Sequence, residues 1–128
     1  MSNEIHSHGQ RLVSAVERML DTPESIIALV VRIGNEAGPC FQEQSRRIVS
    51  HYSNRSALVG GSLALPGIFP GAGTLIAAVG TTLADMALVL KLEVEMCLAL
   101  SCLHGYDIRR PQERQLAFLL AAVKTHEI

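Results

Sequence analysis

The sequence predicts an all-α protein: a compact bundle of four or five helices with a central Pro-Gly-rich apolar helical hairpin. Three observations carry this. Apolar residues recur at helical spacing, and no segment shows the period-two alternation of a strand. Helix punctuation recurs as well: Pro23, Gly38-Pro39, the run from Pro66 to Gly73, Gly105 and Pro111 cut the chain into helix-sized lengths. Ala and Leu, both strong helix formers, dominate a composition that is 48% hydrophobic but only 4% aromatic.

The elements follow in order. Residues 1–9 read as a flexible N-terminal tail, and residues 10–128 as one helical domain. The first helix covers Gln10–Leu20, with Leu12, Val13, Val16, Met19 and Leu20 on one side. Asp21 or Thr22 then caps a second helix, Pro23 fits its first turn, and Gly38-Pro39 ends it. A third helix begins near Cys40. Its first half is polar and basic; its second half, "SALVGGSLAL", is uncharged and rich in small residues. Pro66-Gly67 ends it, because proline lacks a donor and clashes with the preceding turn. A fourth helix runs from near Thr74 to His104, with Gly80 as a flex point and Gly105 as its C-terminal cap. Pro111 opens a fifth, Gln112–His126. The final "KTHEI" has neither cap nor polar tail, as expected of a fraying helix or of a piece of a longer protein.

The fourth helix carries charges on several sides. With Asp85 as zero, Lys91 falls at about 240°, Glu93 at about 80° and Glu95 at about 280° on a wheel of 3.6 residues per turn. A rod decorated in this way is expected to be packed on several sides, at the centre of a bundle. Lys91 and Glu95, four apart, are placed to pair.

Composition excludes several functions. Charged residues are 18% of the chain and the net charge is -1, so no basic field attracts nucleic acid. With so few aromatics there is no base-stacking platform either. The three cysteines, Cys40, Cys97 and Cys102, are odd in number and apolar in setting, which reads as small buried thiols in a reducing compartment. The polar start shows no signal-peptide pattern, so the expected address is cytoplasmic.

No motif commits the chain to chemistry. In "GAGTLIAAVG", Ile76 stands where a dinucleotide fingerprint needs its third glycine, and no lysine follows Gly73 as a P-loop requires. His6 and His8 lie in the tail. Cys97, Cys102 and His104 do not share one helix face, and no second ligand pair accompanies them. Asp85 and Glu93 sit about 80° apart on the wheel, poorly placed for paired acid-base work. The expectation is no catalytic residue, no cofactor and no metal.

The feature that remains is the uncharged run from 56 to 84, broken by the turn "LPGIFPGAG". The arm Ser56–Leu65 reaches about 15 Å at 1.5 Å per residue, half of a hydrocarbon core of about 30 Å. The arm Thr74–Ala84 has a similar reach, so neither spans a bilayer alone. Two readings stay open. The hairpin is buried in a soluble bundle, its backbones brought close by Gly60, Gly61, Gly67, Gly71 and Gly73. Alternatively it dips into one leaflet, with Leu65, Pro66, Ile68, Phe69, Pro70 and Leu75 as contact residues. Basic residues flank it on both sides: Arg46, Arg47, His51 and Arg55 before, Lys91, Arg109, Arg110 and Arg114 after. That distribution puts both ends on the cytoplasmic side. Asp85 follows the run directly, as a cap, an arginine partner or a waterline mark.

The order "YSNRSALVGG", "LPGIFPGAG", Asp85 in a long apolar helix and "HGYDIRRPQERQLAFLLAA" resembles the EcsC family. The matching positions are Tyr52, Arg55, Gly60, Pro66, Gly67, Asp85, Gly105, Tyr106, Asp107, Glu113 and Arg114, and the likeness covers Tyr52 to Ala122. A hydrophobic domain attached to some bacterial GTPases shares the Pro-rich turn and is a near alternative. The resemblance implies a bacterial, helical, membrane-associated protein, in a family named for an operon that encodes an ABC transporter. The family has no established catalytic residues, so none is carried over. The chain departs from it by stopping where further helices are expected. The function these features imply is a non-enzymatic accessory or adaptor protein on the cytoplasmic side of a membrane, linked to transport or secretion. Its partners would be a membrane surface or a membrane protein, and not nucleic acid. The alternative is a soluble interaction module that forms a homo-oligomer through the small-residue hairpin.

Overall fold

The computed structural model describes residues 2–57 and 72–126, with side chains described for 9–57 and 84–123. Five helices occupy these residues: α1 (Ser2–Met19), α2 (Pro23–Ala37), α3 (Phe41–Ala57), α4 (Ala72–Leu103) and α5 (Pro111–His126). There is no strand among them, and the all-α bundle stands.

α4 is the axis of the fold. At 32 residues it is about 48 Å long, and α1, α2, α3 and α5 all pack against it, while α2 and α3 also pack on each other. Its buried residues therefore lie on several faces: Ala84, Ala87, Leu88, Leu92, Val94, Leu98 and Ala99. The scattered charges on the helical wheel anticipate this arrangement. Val16 of α1, Ile26 of α2 and Ile48 of α3 complete the centre of the core.

Local chemistry sets the helix ends. The Thr22 hydroxyl accepts the Ser25 N–H at 3.2 Å, and Pro23 occupies the first turn of α2. Gly38 ends α2 at φ +81°, with its N–H donated to the Gly34 carbonyl. The Gln44 side-chain amide then donates to the Gly38 carbonyl at 2.6 Å, tying this corner to α3. At the end of α4, Gly105 has φ +94°. Its N–H reaches the Cys102 carbonyl, and the Tyr106 N–H reaches Ser101, the paired bonds of a Schellman cap. Asp107 Oδ1 accepts the Arg109 N–H, and the buried Ile108 pins this turn to the core before Pro111 opens α5.

Two boundaries differ from the sequence expectation. α1 starts at Ser2 instead of Gln10, so residues 2–9, expected to be tail, are helical. No proline interrupts them, and Gly9 costs an exposed helix only about 1 kcal/mol. α4 starts at Ala72, which puts Gly73, expected in the turn, in the first turn of the helix. Gly60, Gly61, Leu65, Pro66, Gly67, Ile68, Phe69, Pro70 and Gly71 lie outside the described residues. Gly73 and Leu75 belong to α4, and the Leu75 side chain lies outside the described ones. Among the described residues, no helix is long and apolar enough to cross a membrane.

Candidate functional site

Among the described residues the bundle buries one charged cluster. Glu95 is fully buried on α4, and Lys91, one turn earlier, is nearly so. Lys91 Nζ donates to Glu95 Oε1 at 3.0 Å, and the Asp21 backbone N–H donates to Glu95 Oε2 at 2.7 Å. Asp21 Oδ1 lies 4.0 Å from Lys91 Nζ. Each Glu95 oxygen thus has a donor, and the carboxylate ties the α1–α2 corner to α4. Burial pushes the Glu95 pKa up; the Lys91 charge and the Asp21 amide oppose it. The Lys91–Glu95 pair follows from the spacing, whereas the Asp21 contact spans 74 positions and has no sequence signal. Because Lys91 is held here, it is not available as a surface cation flanking the hairpin.

Beside this cluster, Tyr52 is buried on α3, and burial raises its hydroxyl pKa, with Glu95 adding to the effect. His51 meets the Tyr52 ring edge-to-face at 5.0 Å. Burial lowers the His51 pKa, and the charges of Arg55 and Arg32 lower it further. A cavity of about 150 Å³ lies between α3 and α4, lined by Tyr52, Ser53, Ser56, Leu92, Glu93 and Met96. Ligand pockets run from roughly 300 Å³ upward, so this space suits water better than a substrate.

The flanking charges do not converge. Arg46 and Arg47 both bond Glu43 on the outer face of α3, at 2.8 and 3.1 Å. Hydrogen bonds from these two hold the Glu43 carboxyl below the usual range. Arg55 is half-buried. Asp85 is half-buried on α4 with Oδ1 lacking a hydrogen-bond partner, and it makes no ion pair with an arginine among the described residues. Arg109 is engaged with Glu24 at 3.2 Å, while Arg110 and Arg114 are exposed.

The cysteines need one correction. Cys97 and Cys102 pack partly buried against the core, and burial raises the Cys102 thiol pKa. Cys40 is exposed, because it sits in the short break between Pro39 and α3, outside the helix packing. Among the described residues no group of His, Cys, Asp or Glu is placed to hold a metal ion.

Among the described residues, exposed large apolar side chains align on α5. Leu116, Leu119, Leu120 and Val123 are each between 50% and 61% exposed. They stand at i, i+3, i+4 and i+7, so they form one continuous stripe. Ala117 and Ala121 are buried on the opposite side, and α4 is the helix that α5 packs against. The sequence does not reveal this face. "LAFLLAAV" is apolar on all sides, so its periodicity selects none. The small alanines allow the backbones of α4 and α5 to approach, which turns the larger side chains outward.

Comparison with protein-family models, with curated proteins and with solved structures gives no match to this chain.

Proposed function

We propose that this protein is a non-enzymatic adaptor that docks through apolar surface, at the cytoplasmic face of a membrane and in the setting of bacterial transport or secretion. The observation that carries docking is the α5 stripe: four large apolar side chains, aligned and half-exposed, on a small bundle. An apolar patch of this kind on a soluble bundle marks an interaction surface. The membrane half of the proposal draws its support from the uncharged run 56–84 with its Pro-Gly turn, and from the EcsC resemblance. Ile68 and Phe69 at that turn are the proposed lipid contacts.

Flotation tests the membrane half. The full chain is mixed with phosphatidylglycerol–phosphatidylethanolamine vesicles at about 0.15 M salt, where long-range surface charge is screened. The wild type rises with the vesicles. The Ile68→Glu, Phe69→Glu double variant stays below, since each acidic side chain costs on the order of 2–3 kcal/mol to bring into hydrocarbon. Circular dichroism checks that the variant keeps its helices. Wild-type protein that never floats overturns the membrane reading.

A further inference from the structure

We infer that the α5 stripe is the seam of a homodimer, in which α5 of one copy packs antiparallel against α5 of a second. The inference rests on the reading of this face as a docking surface and names its occupant.

The stripe is self-complementary. Its spacing, three, one and three, is symmetric about the midpoint between Leu119 and Leu120. A two-fold axis through that point sets Leu116 of one copy against Val123 of the other, and Leu119 against Leu120. A two-fold interface requires this property, the same patch meeting itself in reverse.

The charges beside the stripe agree. Glu113 stands in the first turn of α5, and Lys124 in the last. By helical register both positions lie about 70–90° from the centre of the stripe, on the same side. An antiparallel pairing therefore brings Glu113 of each copy to the Lys124 position of the other, twice by symmetry. Glu113 makes no ion pair among the described residues that would compete. Antiparallel packing also sets the positive end of each helix dipole beside the negative end of its partner.

A lipid surface fits the same stripe less well. An interfacial helix carries Lys and Arg along the borders of its apolar face. Here the near border pairs an acid with a base, Glu113 and Lys124, Arg114 projects from the far side of the helix at about 170° from the stripe, and Arg109 is bound to Glu24. Area sets the expected strength. α5 has 16 residues, so the seam is about 24 Å long. One helix pair of that length falls below the roughly 1,200 Å² of a standard stable interface, which predicts a reversible, micromolar dimer.

Sedimentation equilibrium of the full chain tests this. The apparent mass is expected to rise with concentration from the 13.8 kDa of one chain toward twice that value. Leu119→Glu and Leu120→Glu are each expected to weaken association by about tenfold or more, the loss typical of a central interface residue. Both side chains are at least half exposed, so the fold tolerates the change. Glu113→Lys alone and Lys124→Glu alone should each weaken the dimer several-fold, and the two together should restore it. A wild type that stays monomeric into the high micromolar range overturns the dimer. Singles that weaken association with no restoration in the double variant overturn the antiparallel register. Flotation separates this proposal from the membrane reading: Ile68→Glu, Phe69→Glu should still dimerise, and Leu119→Glu should still float. If Leu119→Glu abolishes flotation of a protein that is monomeric, the stripe faces lipid and the dimer is wrong.

Discussion

Lys91 and Glu95 hold a buried ion pair, so each carries a large energetic stake in this fold. A buried carboxylate is tolerated when a cation and hydrogen-bond donors satisfy it, and becomes a liability when one is removed. Lys91→Met leaves Glu95 buried without its cation. The expected cost is about 3 kcal/mol, read as a lower urea midpoint. The loss depends on pH. A carboxyl whose folded pKa is raised contributes stability present below its ordinary 4.5 and lost as pH rises through the folded value. Removing Lys91 raises that value further, so the gap between wild type and Lys91→Met should narrow as pH falls toward 4.5. Lys91→Met with Glu95→Leu should recover most of the loss, because an apolar pair of similar volume replaces the ions. A double variant no better than the single would show that the pair is not the source of the cost. In sequence terms the pair was legible from its four-residue spacing; the donor from Asp21 was not, because only the folded chain closes that distance.

At the scale of elements, what is local was readable. α2 begins and ends where its own residues dictate: Thr22 caps, Pro23 occupies the first turn, and Gly38 takes the positive φ that ends it. Thr22→Ala should cost about 1 kcal/mol and Thr22→Ser much less, since serine keeps the oxygen that accepts the Ser25 N–H. Urea denaturation of the two variants measures the difference, and equal losses would remove the cap from the account. Gly105 was readable for the same reason. The start of α1 at Ser2 is not readable, because polarity points to a tail, whereas a polar segment without proline can continue a helix whose remainder is anchored by Val16. The orientation of α5 was not readable, because its apolar residues surround the helix and the choice of face belongs to the α4 surface it meets.

For the molecule as a whole, the stabilising contacts converge on α4. Its amides from about Leu88 to Ala99 lie under four neighbouring helices, so they should open only with global unfolding. Among the described helices α5 packs against α4 alone, and it should open at lower free energy. Native-state hydrogen exchange measures both. Faster exchange in the middle of α4 than in α5 would contradict this hierarchy. The same arrangement leaves Leu116, Leu119, Leu120 and Val123 of α5 exposed on the side away from α4.

By itself the sequence determined the helical class, most helix boundaries, the central position of the long fourth helix and the Lys91–Glu95 pair. Each of these depends on spacing or turn chemistry within a few residues. Only the tertiary structure decided that Asp21 closes the buried charge cluster, that Lys91 is withdrawn from the surface, and that the leucines of α5 face outward. Those outcomes depend on which surfaces meet across tens of residues, and a helix that is apolar all round contains no local term to choose among its faces.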